Sequence, residues 1–465
     1  MNSYPETISH KTIAAIVATG LMSFCGVIVE TSMNIAFPKL MHQFGVTTNI
    51  VQWMTSIYLL IVAIIVPLSA ILKAKFKTRA LFITAISLFI CGIVIDSVAP
   101  SFWVLLLGRA IQGIGTGISL PLMFNIIMEQ VPQSRLGMMM GFGNFITGIA
   151  PAIGPTLGGI ITTSLGWRWI FIILLPFLLI SLFLGIWGIQ QKSPLRQVSL
   201  DFISCVLIAI TFSGMVYGFS NLSAVSFISW QVSGAILMGL IAMVLLIIRS
   251  LHLETPILDF RLFTNHRFAG HVLIFFLTQM CSLGFAFLLP NYIQLVNGNS
   301  ALTAGLVVMP AGIGGAIFAP IGGRLLDKFG PRKPVMTGAG LMALSIIVFT
   351  TIAIRMSNQS IMLVYIFYMV GMGCMMGTIM TSALASLPHH QQTQGNAFLN
   401  TLQQFAGSLG TSTLTAMIVA LSQRGRSGAN ATAIGTQHEF IMLFIFVIMI
   451  LITIWQVVPK SLKQK

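Results

Sequence analysis

A succession of long apolar runs, each separated from the next by a short polar loop, constrains this chain more than any other feature. The runs are about 17 to 25 residues long, the length a tilted helix needs to cross a bilayer. They lie at 12–36, 51–72, 79–98, 102–126, 136–162, 168–189, 200–219, 232–250, 269–290, 302–325, 333–354, 360–384, 398–421 and 439–458, which makes fourteen. Strands of a membrane barrel are about half as long. The chain therefore reads as an all-α membrane protein with many spans. Only 7% of its residues are charged and its mean hydropathy is +0.95, whereas roughly a quarter of a soluble domain is charged.

An even number of spans puts both termini on one side, and charge chooses the side. With the N-terminus inside, eighteen of the 24 Lys and Arg fall in cytoplasmic segments. Five (Lys39, Arg168, Arg355, Arg424 and Arg426) fall in outer loops, and Arg109 lies within a span. Such an excess of inside cations fits a multi-pass protein of the plasma membrane with cytoplasmic termini. The net charge of +15 thus belongs to loops at the membrane surface, and no nucleic-acid partner is expected. The five cysteines all fall inside apolar runs without a close pair, so they read as core residues rather than as metal or disulfide ligands. The first run is too long for a cleaved signal peptide and has no small-residue cleavage site.

Loop length divides the chain. The longest polar connections on the cytoplasmic side, 190–199 and 251–268, bracket two spans. Six spans precede that pair and six follow it. The expected units are a six-helix bundle at 1–192, an inserted helix pair at 193–258 and a second six-helix bundle at 259–465, built as repeated halves around a central site. One turn carries the repeat visibly: Gly323-Arg-Leu-Leu-Asp327-Lys-Phe-Gly330-Pro-Arg332 in the second half, and a degenerate Ala70-Ile-Leu-Lys-Ala-Lys-Phe-Lys-Thr-Arg79 in the first.

Glu30 is the one carboxylate read well inside a span; Asp96 and Glu439 fall near span boundaries, and Asp201 and Asp259 sit where helix caps are expected. A carboxylate in hydrocarbon costs about 3 kcal/mol on insertion scales and is a functional hypothesis by default. Glu30 stands 8 residues before Pro38, which is about 12 Å along a helix. Arg109 of the fourth span reaches a similar depth from the same side. A cation beside Glu30 favours its charged form, while burial favours its neutral form. Those opposed influences suit a group that alternates between a proton and a substrate, with Gln112 one turn further in tuning the pair. Asn34, Asn144, Gln279 and Gln403 are further candidates to line a cavity. In the fifth span, Pro151, Gly154, Pro155, Gly158 and Gly159 leave a face bare of side chains, so a neighbour can approach closely and Pro155 can kink the helix. The sequence holds no GxxxxGK[ST], HExxH or GxSxG pattern and no CxxC pair, so it gives no sign of an enzyme or of a built-in ATPase.

Five patterns in order resemble one family. They are Glu30-Thr-Ser-Met-Asn34-Ile-Ala-Phe-Pro38, the GxLxDxxGxR turn at 323–332, Arg109-Ala-Ile-Gln112-Gly113, Pro151-Ala-Ile-Gly154-Pro155-Thr-Leu-Gly158-Gly159, and Trp167-Arg168-Trp169. Together they resemble the fourteen-span drug:proton antiporters of the major facilitator superfamily, in the branch typified by lincomycin-resistance exporters. The chain departs where the family usually has Asn and this sequence has Leu174, and where the acid is missing from the turn at 70–79. The resemblance implies alternating access and proton-driven efflux of apolar or cationic drugs, with Glu30 and Arg109 in proton coupling. It also implies a gate loop at Gly323, Asp327, Gly330 and Arg332, protons as the coupling ion without other cofactors or metals, and a monomer in the bilayer. Export of one endogenous metabolite or lipid is compatible with the same motifs. Proton symport is disfavoured by the antiporter pattern at 151–159.

Overall fold

The computed structural model of the chain describes residues 8–46, 48–51, 53–195, 201–221, 227–409 and 429–460. The first half contains α1 (His10–Phe44), α2 (Trp53–Lys75), α3 (Thr78–Val98), α4 (Phe102–Gln130), α5 (Leu136–Ser164) and α6 (Trp169–Gly188). Next come α7 (Phe202–Ser220) and α8 (Ala235–His252). The second half contains α9 (His266–Leu295), α10 (Ala301–Phe329), α11 (Arg332–Ile352), α12 (Asn358–Ala385), α13 (Gln392–Leu409) and α14 (Ala429–Val457). Among the described residues, 12 helices are long and apolar enough to cross a membrane, or 13 if the two arms of bent α5 are one span. The remaining helix, α13, is rich in Gln and Asn. The apolar run expected at 398–421 continues into 410–428, outside the described residues.

Local signals set the ends. Ser9, Ser101, Asp201, Asn265, Ser300 and Ser357 each cap the helix that follows by accepting a backbone N–H, which satisfies donors that have no intrahelical partner. Pro38 does not end α1. The helix carries on to Phe44 and stops at Gly45, whose φ of 63° is left-handed, a conformation glycine adopts at little cost.

Each half packs around its own helices. In the first, α1 lies against α4, α5 and α6, and α4 against α2 and α3. In the second, α12 lies against α10 and α11, and α9 and α11 against α14. The second core is aromatic: the Phe285 ring centroid is 4.2 Å from that of Tyr368 and 5.4 Å from that of Phe440. The halves meet where α5 packs on α10 and α12, and where α13 packs on α2 and α4. The inserted pair flanks that second seam. Its α7 touches both α2 and α13, with Phe212 edge-on to Phe405 at 5.9 Å. The α5–α10 contact is close because both helices lack side chains there: a Cβ on Gly323 would sit 2.1 Å from the Gly137 carbonyl oxygen, and one on Gly141 2.4 Å from that of Ala319. In lipid, where apolar side chains gain little by leaving their solvent, such close packing is what holds helices together.

Candidate functional site

The fourth helix brings the polar groups of the first half to a focus. Arg109 on α4 is 0% exposed. Its Nε donates to the Met54 carbonyl at 3.1 Å and its Nη1 donates to Gln112 Oε1 at 2.7 Å. Its guanidinium carbon lies 4.2 Å from the Tyr58 ring centroid, a cation–π stack in a desolvated place. The Tyr58 hydroxyl donates to Thr116 Oγ1 at 3.0 Å. Opposite these two groups α1 has Gly26, where a Cβ would be 2.9 Å from both oxygens. Glu30 follows one turn later on α1 and is partly exposed. It lies within electrostatic reach of Arg109 and Tyr58.

Glu30 and Arg109 are nevertheless not an ion pair. The ion pairs among the described residues are Lys73–Glu129 and Arg249–Asp201. The carboxylate joined to the Arg109 network is Asp96, through Gln112, whose Nε2 donates to Asp96 Oδ2 at 2.7 Å. Asp96 is buried, not a surface residue at a span boundary, and so is Glu439, which lies opposite Gly284 inside α14. The reason for Asp96 is a bare helix crossing. Gly92 of α3 and Gly108 of α4 bring the two backbones together, and a Cβ on Gly108 would sit 2.0 Å from Asp96 Oδ1. The missing side chain at Gly108 is the space the carboxylate occupies.

The Pro- and Gly-rich pattern at 151–159 packs directly behind Glu30. The arms of α5, Gln133–Pro151 and Thr156–Ser164, meet at 43°. Ser32 Oγ donates to the Gly154 carbonyl at 2.7 Å. A Cβ on Gly154 would be 1.9 Å from Thr31 Oγ1, and one on Gly158 would be 2.7 Å from the Cα and carbonyl oxygen of Ser32. Residues 31 and 32 of α1 therefore touch the α5 bend next to the acid. Pro151 is exposed and Gly159 half-buried. Asn34 and Pro155 stand in α1 and α5, and their side chains lie outside the described residues.

The amides expected around a cavity divide. Asn144 donates to its own helix at the Met140 carbonyl (2.9 Å) and faces Gly377 of α12. Gln279 is buried on α9, and Gln403 is half-buried on α13. Asn125 joins the halves, accepting from Asn396 Nδ2 at 2.8 Å. Asn396 also donates to the Pro121 carbonyl at 3.1 Å. Asn396 is not among the amides named from the sequence; a polar residue at the start of an apolar run was the only sign of it.

At the end that carries Arg135, Arg324 and Lys328, the turn at 323–332 meets the other half. Asp327 accepts from the backbone N–H groups of Gly137 and Met138, both at 2.9 Å. Those groups open α5, where unpaired donors and the helix dipole favour a negative charge. Gly330 has φ 78° and lets the chain turn into α11. Arg332 serves a different contact, stacking on Trp455 at 4.6 Å within the second half. The degenerate first copy has no acid to match; there Lys73 pairs with Glu129 of α4, inside one half. The Trp167-Arg168 pattern braces the opposite end: Trp167 Nε1 donates to Gln43 Oε1 at 2.7 Å and Arg168 Nη2 to the Ala99 carbonyl at 2.8 Å.

The chain is similar to known proteins in sequence and in fold. A family profile described as Major Facilitator Superfamily matches residues 19–411. The lincomycin resistance protein LmrB of Listeria monocytogenes serovar 1/2a is 36% identical over 91% of this chain and 89% of its own length. That of Bacillus subtilis strain 168 is 34% identical over 95% of each chain. The solved structure of the proton:xylose symporter XylE superposes with a TM-score of 0.66 at 15% identity, covering 98% of both chains, a likeness of fold.

Proposed function

This chain belongs to the Major Facilitator Superfamily, and we propose that within it the protein exports several kinds of apolar or cationic drug in exchange for protons. The observation that carries the proposal is the placing of Glu30: partly exposed, within electrostatic reach of the buried Arg109 cation, and backed by the α5 bend. A carboxylate so placed can hold a proton when no substrate is present and face a cation when one is. The names of the relatives, lincomycin resistance proteins, support drugs as the substrate class. Fourteen spans, counting α13 as one of them, complete the two six-helix bundles and the inserted pair. The basic end is assigned to the cytoplasm by its excess of Lys and Arg, and the protein acts there as a monomer of the plasma membrane.

In the proposed cycle the Asp327 and Asn396 contacts hold the basic end closed while α5 bends against α1. Opening requires Asp327 to release two N–H groups and the α5–α10 glycines to part. Binding energy that differs between the two states is what moves such an equilibrium. The test is efflux from drug-sensitive bacterial cells loaded with ethidium. Expression of the chain should speed dye loss, and a protonophore should abolish the gain. Dye loss unchanged by expression of the membrane-inserted protein would reject drug export, and a gain that survives the protonophore would reject proton coupling.

A further inference from the structure

The cluster around Arg109 contains one more acid than the coupling scheme above uses. We propose that Asp96 is the counter-ion of Arg109, and that by balancing this cation it frees Glu30 to take up one proton when the cavity is empty and to release it when a monovalent cation binds. The inference rests on the proton-exchange reading and deepens it.

Chemistry fixes the relay between the two residues. Arg109 can only donate and an ionised Asp96 can only accept, so the Gln112 amide between them must turn its oxygen to the guanidinium and its nitrogen to the carboxylate. The observed bonds, 2.7 Å on each side, have that sense. Yet the network is not closed. Asp96 Oδ1 and Arg109 Nη2 are both buried without a hydrogen-bond partner. Leaving buried charged groups so is costly. One cationic donor and one anionic acceptor thus remain available on either side of the bridging amide.

The groups that face Asp96 can be counted element by element. From α4 come Arg109 and Gln112; from α2, beyond the guanidinium, comes Tyr58; α6 contributes no titratable side chain between Trp169 and Gly188. Arg168, before α6, bonds to the Ala99 carbonyl at the end of α3 and is half-buried. Glu30 joins from α1 through the field of Arg109. The cluster is thus one permanent cation, one buried carboxylate and one partly exposed carboxylate. With both acids ionised it carries one net negative charge, which a low-dielectric interior strongly resists. One bound proton makes it neutral. When a monovalent cation enters beside Glu30, both acids can ionise and the total is again neutral, so one proton leaves. Without the Asp96 charge, Arg109 and Glu30 already balance, and the cluster has no proton to give up.

The experiment is ethidium binding to the purified protein in detergent, followed by dye fluorescence across pH 6 to 8. If one proton leaves per dye bound, affinity rises tenfold for each pH unit over the range in which the empty site holds its proton. The wild type should show that slope, and Asp96→Asn, which keeps size and an amide able to meet Gln112, should bind dye with a slope near zero. A tenfold slope retained in Asp96→Asn would overturn the assignment while leaving proton exchange intact. A flat slope in the wild type would instead reject proton exchange itself. Should Asp96→Asn fail to fold, the wild type decides. An uncharged drug that it binds should show no slope, and a neutral ligand that releases a proton as ethidium does would overturn the charge balance.

Discussion

Replacing Gly158 by Ala adds one carbon where α5 crosses α1, and the structure sets the consequence. That carbon would lie 2.7 Å from Ser32 Cα and carbonyl oxygen, backbone atoms that cannot rotate away. Carbon contacts settle near 3.5 Å, so the helices must part by about 0.8 Å. Overpacking of this kind costs about 1–3 kcal/mol, against a gain of about 1 kcal/mol for Ala over Gly in a helix. The displaced segment of α1 begins two residues after Glu30, so the acid shifts relative to Arg109. The comparison is Gly148→Ala in the same helix, where an added Cβ meets nothing within 4 Å and only the favourable propensity remains. Thermal unfolding in detergent and dye efflux should therefore separate two identical substitutions: Gly158→Ala unfolds lower and exports poorly, while Gly148→Ala unfolds at or above the wild-type temperature and exports normally. Gly158→Ala with wild-type unfolding and full export would refute the claim that this close crossing positions Glu30.

Other substitutions test the remaining parts. Asp327→Asn removes the charge from two bonds to the start of α5, each worth about 1.5–3 kcal/mol when charge-assisted; hydrogen exchange at Gly137 and Met138 should speed by tenfold or more, and unchanged protection would deny the latch. Arg109→Lys loses the forked contact to Gln112 and Met54 and the stack on Tyr58; since Lys cannot reproduce a planar fork, export should fall at least tenfold in protein that still inserts. At the start of α7, two bonds from the Arg249 guanidinium, at 2.6 and 2.8 Å, hold the Asp201 carboxyl well below the usual carboxylate range. Its contribution is therefore present above about pH 4, the ordinary value for Asp, and is lost as pH falls below that. In thermal unfolding between pH 7 and 3, Asp201→Asn should lose this part of the acid sensitivity; identical pH profiles would mean that the pair stabilises nothing.

The spans and most motif positions could be read from the chain because hydropathy and small-residue spacing are properties of sequence itself. Asp327 stood out in its turn by motif, but its partners are backbone N–H groups of α5, which no residue type announces. Asp96 was misread because it stands two residues before the end of α3; only the crossing of Gly92 and Gly108 shows that this end is covered. Glu30 and Arg109 were expected to pair, and the direct bond of the guanidinium goes instead to Gln112, a neighbour one turn along α4. Pro38 does not mark the end of α1, which runs on to Phe44 and stops at Gly45. Lys73 looked like a loop cation, and its burial against Glu129 reflects a fold contact between α2 and α4 that hydropathy cannot encode.

The central claim, proton exchange at Glu30, is tested most directly in inverted membrane vesicles containing the wild type or Glu30→Gln. With an inside-acid gradient imposed, ethidium uptake and a pH-sensitive fluorophore are followed together. The account predicts dye-dependent proton efflux from wild-type vesicles and none from Glu30→Gln vesicles holding the same amount of folded protein. Undiminished dye-dependent proton efflux in Glu30→Gln would contradict it.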